Sequence, residues 1–165
     1  MPAPITSLAD LDPNGSYTYA DYRSWRFEEL VELLRGKVVR RVSTPVEPHQ
    51  KTVGELLARL GNHLHQQPCR VRVGPCDVRL IRRGAATADA AIRTVVQPGA
   101  CVICDPAKIE RRGCLGAPNL IIEVTSPGTA ARGWKDKFDL YEENEVGEYW
   151  IVTPQEQAAR HQPAS

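Results

Sequence analysis

The run Asn119-Leu120-Ile121-Ile122-Glu123-Val124 reads as a buried strand with one carboxylate set among aliphatic side chains. A charge in that position costs free energy unless something pairs with it. The usual partners are a divalent metal, a lysine or a hydrogen-bond network. Upstream, Val95-Val96-Gln97-Pro98-Gly99-Ala100-Cys101-Val102-Ile103-Cys104 reads as a neighbouring strand. It carries a turn-like Pro-Gly where a second carboxylate would complete a metal site. The two strands together point to a metal-dependent hydrolase core that lacks one of its ligands.

Around these strands the chain alternates helical and extended patterns. Residues 1–16, rich in Pro, Ala, Ser, Asp and Gly without periodicity, read as a mobile arm. Thr18 or Asp21 is placed to cap a first helix running to Leu34, which Gly36 ends. Lys37 to Val42 reads as a strand and Pro45 with Pro48 as a loop. His49 to Gln67 reads as a second helix, with Val53, Leu56, Leu57, Leu60 and Leu64 on one face. Arg70-Val71-Arg72-Val73 alternates as a half-buried strand, and Asp77 to Ile81 continues it after a break at Gly74-Pro75. Arg82 to Arg93 reads as a flexible Ala-rich connection, and Asp105 to Pro118 as a long polar one. A third helix spans Ala131 to Glu143, with Trp134, Phe138 and Tyr141 as a core stripe. Glu148 to Val152 is a last strand. Residues 158–165 lack an apolar pattern and read as a disordered or truncated tail. This order predicts one α/β domain over residues 17–157, with a central mixed sheet flanked by helices.

A net charge of +1 excludes a global basic field for nucleic acid, so any polyanion site is local. Five cysteines, an odd number without a small disulfide framework, predict reduced thiols and a cytoplasmic protein. No run is long and apolar enough to span a bilayer, and no signal peptide is visible at the N-terminus.

Metal-assisted phosphodiester hydrolysis needs oxygen ligands around Mg²⁺ or Mn²⁺ and a cation near the scissile phosphate. Glu123 supplies one acid. Lys135 and Lys137, on the third helix, supply the cation, and Glu32, near the end of the first helix, supplies a further oxygen group. The bland alternative is that Glu123 pairs with a core Arg or Lys for structural reasons.

Several segments carry a resemblance. They are Val31-Glu32-Leu33-Leu34-Arg35-Gly36-Lys37-Val38, His49-Gln50, Pro75-Cys76-Asp77-Val78-Arg79-Leu80, Thr94-Val95-Val96-Gln97-Pro98 and Cys104-Asp105-Pro106-Ala107-Lys108. Further along come Gly116 to Val124, Ser126-Pro127-Gly128 and Glu148-Tyr149-Trp150-Ile151-Val152-Thr153-Pro154. In these segments, over residues 17–157, the chain resembles the Uma-two family, a restriction-endonuclease-like branch of the PD-(D/E)XK nuclease superfamily. The resemblance implies a nuclease-like fold, a divalent-metal site for Mg²⁺ or Mn²⁺, and DNA as substrate. By motif position Glu123 is similar to the acid of the (D/E)XK strand. The lysine due two residues later falls at Thr125, and Lys137 on the following helix is the best match for it. Glu32 matches the helix glutamate, and Asp77 the acid of the Asp-Val-Arg-Leu strand, as a further metal ligand or an orienting group.

The departure that matters most follows Gln97-Pro98, where the family pattern has aspartate and this chain has Gly99. That change removes two ligand oxygens and one negative charge, so weak or absent metal binding is expected. Asp105 cannot substitute, because six strand positions at about 3.3 Å each put it roughly 20 Å away. Asp89 has the reach, though nothing in the sequence requires it. Asn119 and Thr153 also stand where the family often has aspartate.

Other candidates carry less. Cys101-x-x-Cys104 lacks a second ligand pair for zinc and a helix N-terminus for redox chemistry, so buried thiols are expected. His49 starts a helix and is a candidate phosphate or metal contact. Arg70, Arg72, Arg79, Arg82 and Arg83 form a basic strip fit to follow a phosphate backbone or to be a solvated sheet face. The expectation is therefore a Mg²⁺-dependent DNA endonuclease impaired at Gly99. Its alternative is an inactive relative that binds nucleic acid or assembles as a homodimer.

Overall fold

Leu120, Ile121 and Ile122 make Leu120–Val124 (β9) a central strand covered on both faces. This computed structural model describes residues 3–41, 47–125, 127–154 and 158–163. β9 sits in a five-stranded sheet whose spatial order is Ala158–Pro163 (β11), Glu148–Thr153 (β10), β9, Ala100–Ile103 (β6) and Arg70–Val73 (β3). A six-stranded sheet runs Lys37–Arg40 (β2), Val31–Leu34 (β1), Val95–Val96 (β5), Asp77–Arg79 (β4), Gly113–Leu115 (β8) and Ile109–Glu110 (β7). Each sheet is mixed: β9 and β10 are parallel, as are β4 and β8, and the other pairs are antiparallel.

Period-two alternation distributes these strands over three apolar layers. Between the sheets, Val78, Val96, Cys101, Ile103, Ile121 and Ile151 pack with Leu140 and Tyr141 of the helix Pro127–Glu143 (α3). On the far side of the five-stranded sheet, Ala100, Val102, Leu120 and Ile122 meet Leu56, Leu57 and Leu60 of Glu47–His63 (α2). On the far side of the six-stranded sheet, Leu33, Val95 and Ile92 meet Tyr19 of Tyr19–Ser24 (α1). Each fully buried aliphatic side chain in these layers contributes roughly 1.5–3 kcal/mol.

The α/β class and the flanking helices match the sequence expectation, with several differences. The strand read from Val95 to Cys104 is two strands in different sheets, and Gln97-Pro98-Gly99 carries the chain across. The first helix stops at Ser24 instead of Leu34. Thr18 caps it, in a capping box with Asp21. Val31–Leu34 is a strand because Leu33 faces α1 while Glu32 and Leu34 face the layer between the sheets. Arg35 (φ 50°) and Gly36 (φ 85°) then form the tight turn into β2.

The polar stretch read from Asp105 to Pro118 contains the β7–β8 hairpin, and residues 158–163, read as a tail, pair along all of β10. The N-terminal arm is docked: Arg26 N donates to Ile5 O (2.9 Å), and Lys37 Nζ donates to the carbonyls of Asn14 (2.9 Å) and Gly15 (2.7 Å). The expectation of reduced thiols also fails at one pair. Cys69 and Cys104 flank the β3–β6 ladder directly opposite each other and form a disulfide, leaving Cys76, Cys101 and Cys114 free. The loop assigned to Pro45 and the turn residue Ser126 lie outside the described residues, as do the side chains of His49 and Trp134. No helix among the described residues is long and apolar enough to cross a membrane.

Candidate active site

Alternation along β9 puts Ile121 and Glu123 on the face between the sheets, opposite Leu120 and Ile122. The same rule sends Glu32 of β1 into that layer from the other sheet. Helix α3 lies across it and delivers Lys137, with Tyr141 one turn later. These side chains meet. Lys137 Nζ donates to Glu123 Oε1 at 2.7 Å and to Glu32 at 3.0 Å (Oε1) and 2.9 Å (Oε2). Tyr141 OH donates to Glu123 Oε1 at 2.7 Å, and the Gln97 backbone N–H donates to Glu32 Oε1 at 2.8 Å. Both carboxylates are buried, and Lys137 keeps a 19% exposed side chain, so the cluster opens toward solvent through its cation.

Burial alone would favour neutral Lys137. The Glu123 and Glu32 carboxylates outweigh it and hold the lysine pKa above its ordinary value. Burial, reinforced by the Glu123 charge, keeps the Tyr141 phenol neutral far above its ordinary pKa. By formal charge the cluster is two carboxylates and one ammonium, net −1.

The sequence brings Glu123, Lys137 and Glu32 to one point, as expected, although Glu32 arrives from a strand. It does not bring Asp77 there. Val78 faces the layer between the sheets, so Asp77 faces α1 instead. It accepts from Tyr19 OH (3.1 Å), Tyr22 OH (3.2 Å) and Gln97 Nε2 (3.0 Å). Gln97, which sequence reasoning passed over, links the two groups: its backbone N–H holds Glu32 and its amide holds Asp77. No signal in the sequence set it apart, because Gln97-Pro98-Gly99 reads there as part of one continuous strand. Gln97 Oε1 is buried and has no hydrogen-bond partner among the described residues.

Arg79 is buried and cannot touch nucleic acid. Its guanidinium pairs with Glu110 and Asp89 and lies over the Tyr19 ring, 5.1 Å from the centroid. Arg82 is exposed, with an ion pair to Glu143 at 3.5 Å. Lys135 is exposed and outside the cluster. Asp89 does not turn inward. It holds Arg23 (2.5 Å) and Arg112 (3.3 Å) at the surface.

Gly99 lies one step beyond the Ala100↔Ile122 pair, which sets it opposite Glu123 in the continued register. A Cβ there would meet Val124 Cγ2 at 3.2 Å and Ile122 O at 3.3 Å, so any side chain needs Val124 to give way. Among the described residues, no three His, Cys, Asp or Glu side chains gather closely enough to hold a metal ion. The donor set does not fit a resident divalent ion. Two carboxylates face each other across an ammonium, and Asp77, expected as a second ligand beside Glu123, is engaged elsewhere.

Outside this cluster the Cys76 thiol is drawn down to about 7, first by its hydrogen bond with Cys101. Burial pushes Cys114 up to about 12.

The Uma2 family model, described as "Putative restriction endonuclease", matches residues 19–162. Among solved structures, a chain described as "a putative nuclease belonging to DUF820" from Anabaena variabilis ATCC 29413 is similar to this one. The TM-score is 0.69 at 16% sequence identity, over 90% of this chain and 80% of that one. At that identity the likeness shows the fold. No curated protein matches the chain.

Proposed function

This chain belongs to the Uma2 family of restriction-endonuclease-like proteins, and from that premise we propose that its Glu32–Lys137–Glu123 centre is a DNA phosphodiester-hydrolysis site weakened at Gly99. The observation that carries this reading is the meeting of two acids and a lysine, from three separate elements, within 2.7–3.0 Å. In such a site the lysine stabilises charge on the phosphate, and the carboxylates orient and activate water. Burial excludes bulk water and strengthens both effects.

On this reading the same geometry supports the expectation of weak activity. A centre of net charge −1 repels a phosphodiester, and an aspartate at position 99 would have added the acid that draws a hard divalent cation to the centre. Without it, affinity for Mg²⁺ or Mn²⁺ is weak, and the lysine is held by the acids instead of by substrate.

Plasmid cleavage with Mg²⁺ or Mn²⁺ tests the reading. The unsubstituted chain is expected to cut slowly. Gly99→Asp combined with Val124→Ala, which clears the 3.2 Å contact, is expected to raise the rate by about two orders of magnitude or more. Adding Glu123→Ala should remove the gain. Cleavage by the unsubstituted chain that persists in Glu123→Ala would place the chemistry elsewhere.

A further inference from the structure

Carboxylates that serve a divalent ion converge on it with their oxygens. Here Glu123 Oε1 and both oxygens of Glu32 converge on Lys137 Nζ, at 2.7, 3.0 and 2.9 Å. An ion bound to those oxygens at about 2.0–2.1 Å would need the space beside that ammonium and would be repelled by it. The carboxylates are also held independently of the lysine. Tyr141 OH fixes Glu123 from α3, and the Gln97 N–H fixes Glu32 from the crossover. If the ammonium were removed, two oriented buried carboxylates would remain with no cation between them.

We propose that Lys137 is a built-in cation that occupies the divalent-ion position and competes with Mg²⁺ or Mn²⁺ for Glu32 and Glu123. This deepens the preceding reading and rests on it for the identity of the site. It assigns Lys137 the role of keeping the centre closed to divalent ions, in addition to any contact with substrate.

The test is Mn²⁺ binding to the full chain, read as loss of the free-ion electron paramagnetic resonance signal. Lys137→Gln keeps a side-chain N–H donor and removes the charge. It is expected to bind Mn²⁺ at least about ten-fold more tightly than the unsubstituted chain, since a contact-range positive charge is lost. Adding Glu123→Gln should abolish the gain. Equal affinity with and without the lysine charge, or a gain that survives Glu123→Gln, overturns the proposal.

If Lys137→Gln folds only with Mn²⁺ present, that dependence, followed by circular dichroism, is the same gain in another form. If it folds under neither condition, Lys137→Met, which removes the charge at similar length, is measured in the same way: tighter Mn²⁺ binding that Glu123→Gln removes upholds the proposal, and affinity equal to that of the unsubstituted chain overturns it. Cleavage is not read in this experiment, so a chain that never cuts DNA can still give the expected Mn²⁺ result. Failure of the nuclease reading and failure of this one are therefore separately visible.

Discussion

Tyr141 shows how one residue at this centre links chemistry to stability. Its hydroxyl donates to Glu123 Oε1 at 2.7 Å from a fully buried position, and burial with the neighbouring charge holds its pKa well above the ordinary phenol value. Tyr22 and Tyr149 are raised for the same first reason, burial. Lys137 is raised because the two acids outweigh its burial. A group whose folded pKa exceeds its unfolded value contributes stability below the unfolded pKa and loses it as pH rises toward the folded one. For tyrosine and lysine that loss begins near pH 10. The unfolding free energy is therefore expected to fall steeply above about pH 10, each such group adding up to about 1.4 kcal/mol per pH unit. Tyr141→Phe should flatten that alkaline slope by up to about one such increment, measured by urea unfolding between about pH 9 and 11.5. An unchanged slope in Tyr141→Phe would mean that the phenol is not held neutral by the fold.

At the scale of elements, the hairpin β1–β2 delivers Glu32, and its turn places two successive residues, Arg35 and Gly36, at positive φ. Gly36 has φ +85°, and a Cβ there would lie 2.5 Å from Ser16 Oγ. Gly36→Ala is expected to destabilise the chain by about 1–3 kcal/mol, lowering the melting temperature by about 2–4 °C per kcal/mol in a chain of this size. The same change should disturb the Glu32 contact with Lys137, because β1 positions both Glu32 and the turn. A melting temperature within error of the unsubstituted protein would show that the turn relaxes freely.

This hairpin also marks where the sequence was hard to read. Thr18 and Asp21 announce a helix start correctly, but nothing after Ser24 announces its end. Arginine seldom takes the left-handed conformation that Arg35 adopts, so Arg35-Gly36 lacks the Asn-Gly or Asp-Gly signature of a two-residue turn. Glu123 was legible because a lone acid in an aliphatic strand leaves few other places to go, whereas Lys137 was separated from Lys135 only by the family resemblance. Gln97 was not, because an uncharged amide in a strand carries no visible cost until its partners are known. Asp77 was misplaced for a different reason: the sequence identified its strand but not which face of the sheet would meet Glu123.

For the molecule as a whole, the segment between Cys69 and Cys104 is one of the excursions that join the two sheets. The chain leaves the five-stranded sheet after β3, builds β4 and β5 in the six-stranded one, and returns through Gln97-Pro98-Gly99 to β6. Cys69 and Cys104 face each other one step beyond the Arg70↔Ile103 pair, so their disulfide closes that excursion over a separation of 35 residues. Closing a loop of that length restricts the unfolded chain by roughly 3–4 kcal/mol in the chain-entropy account. β3 is an edge strand whose other sheet-side cover is α2, so it gains most from the tie. Cys69→Ser/Cys104→Ser is therefore expected to unfold about 2–4 kcal/mol more easily than the unsubstituted chain, and its melting temperature should not respond to reductant. The unsubstituted chain, unfolded without reductant, should titrate with the three thiols of Cys76, Cys101 and Cys114. Five titratable thiols, together with a melting temperature that reductant leaves unchanged, would show that the two sheets hold their crossover by packing and hydrogen bonding alone.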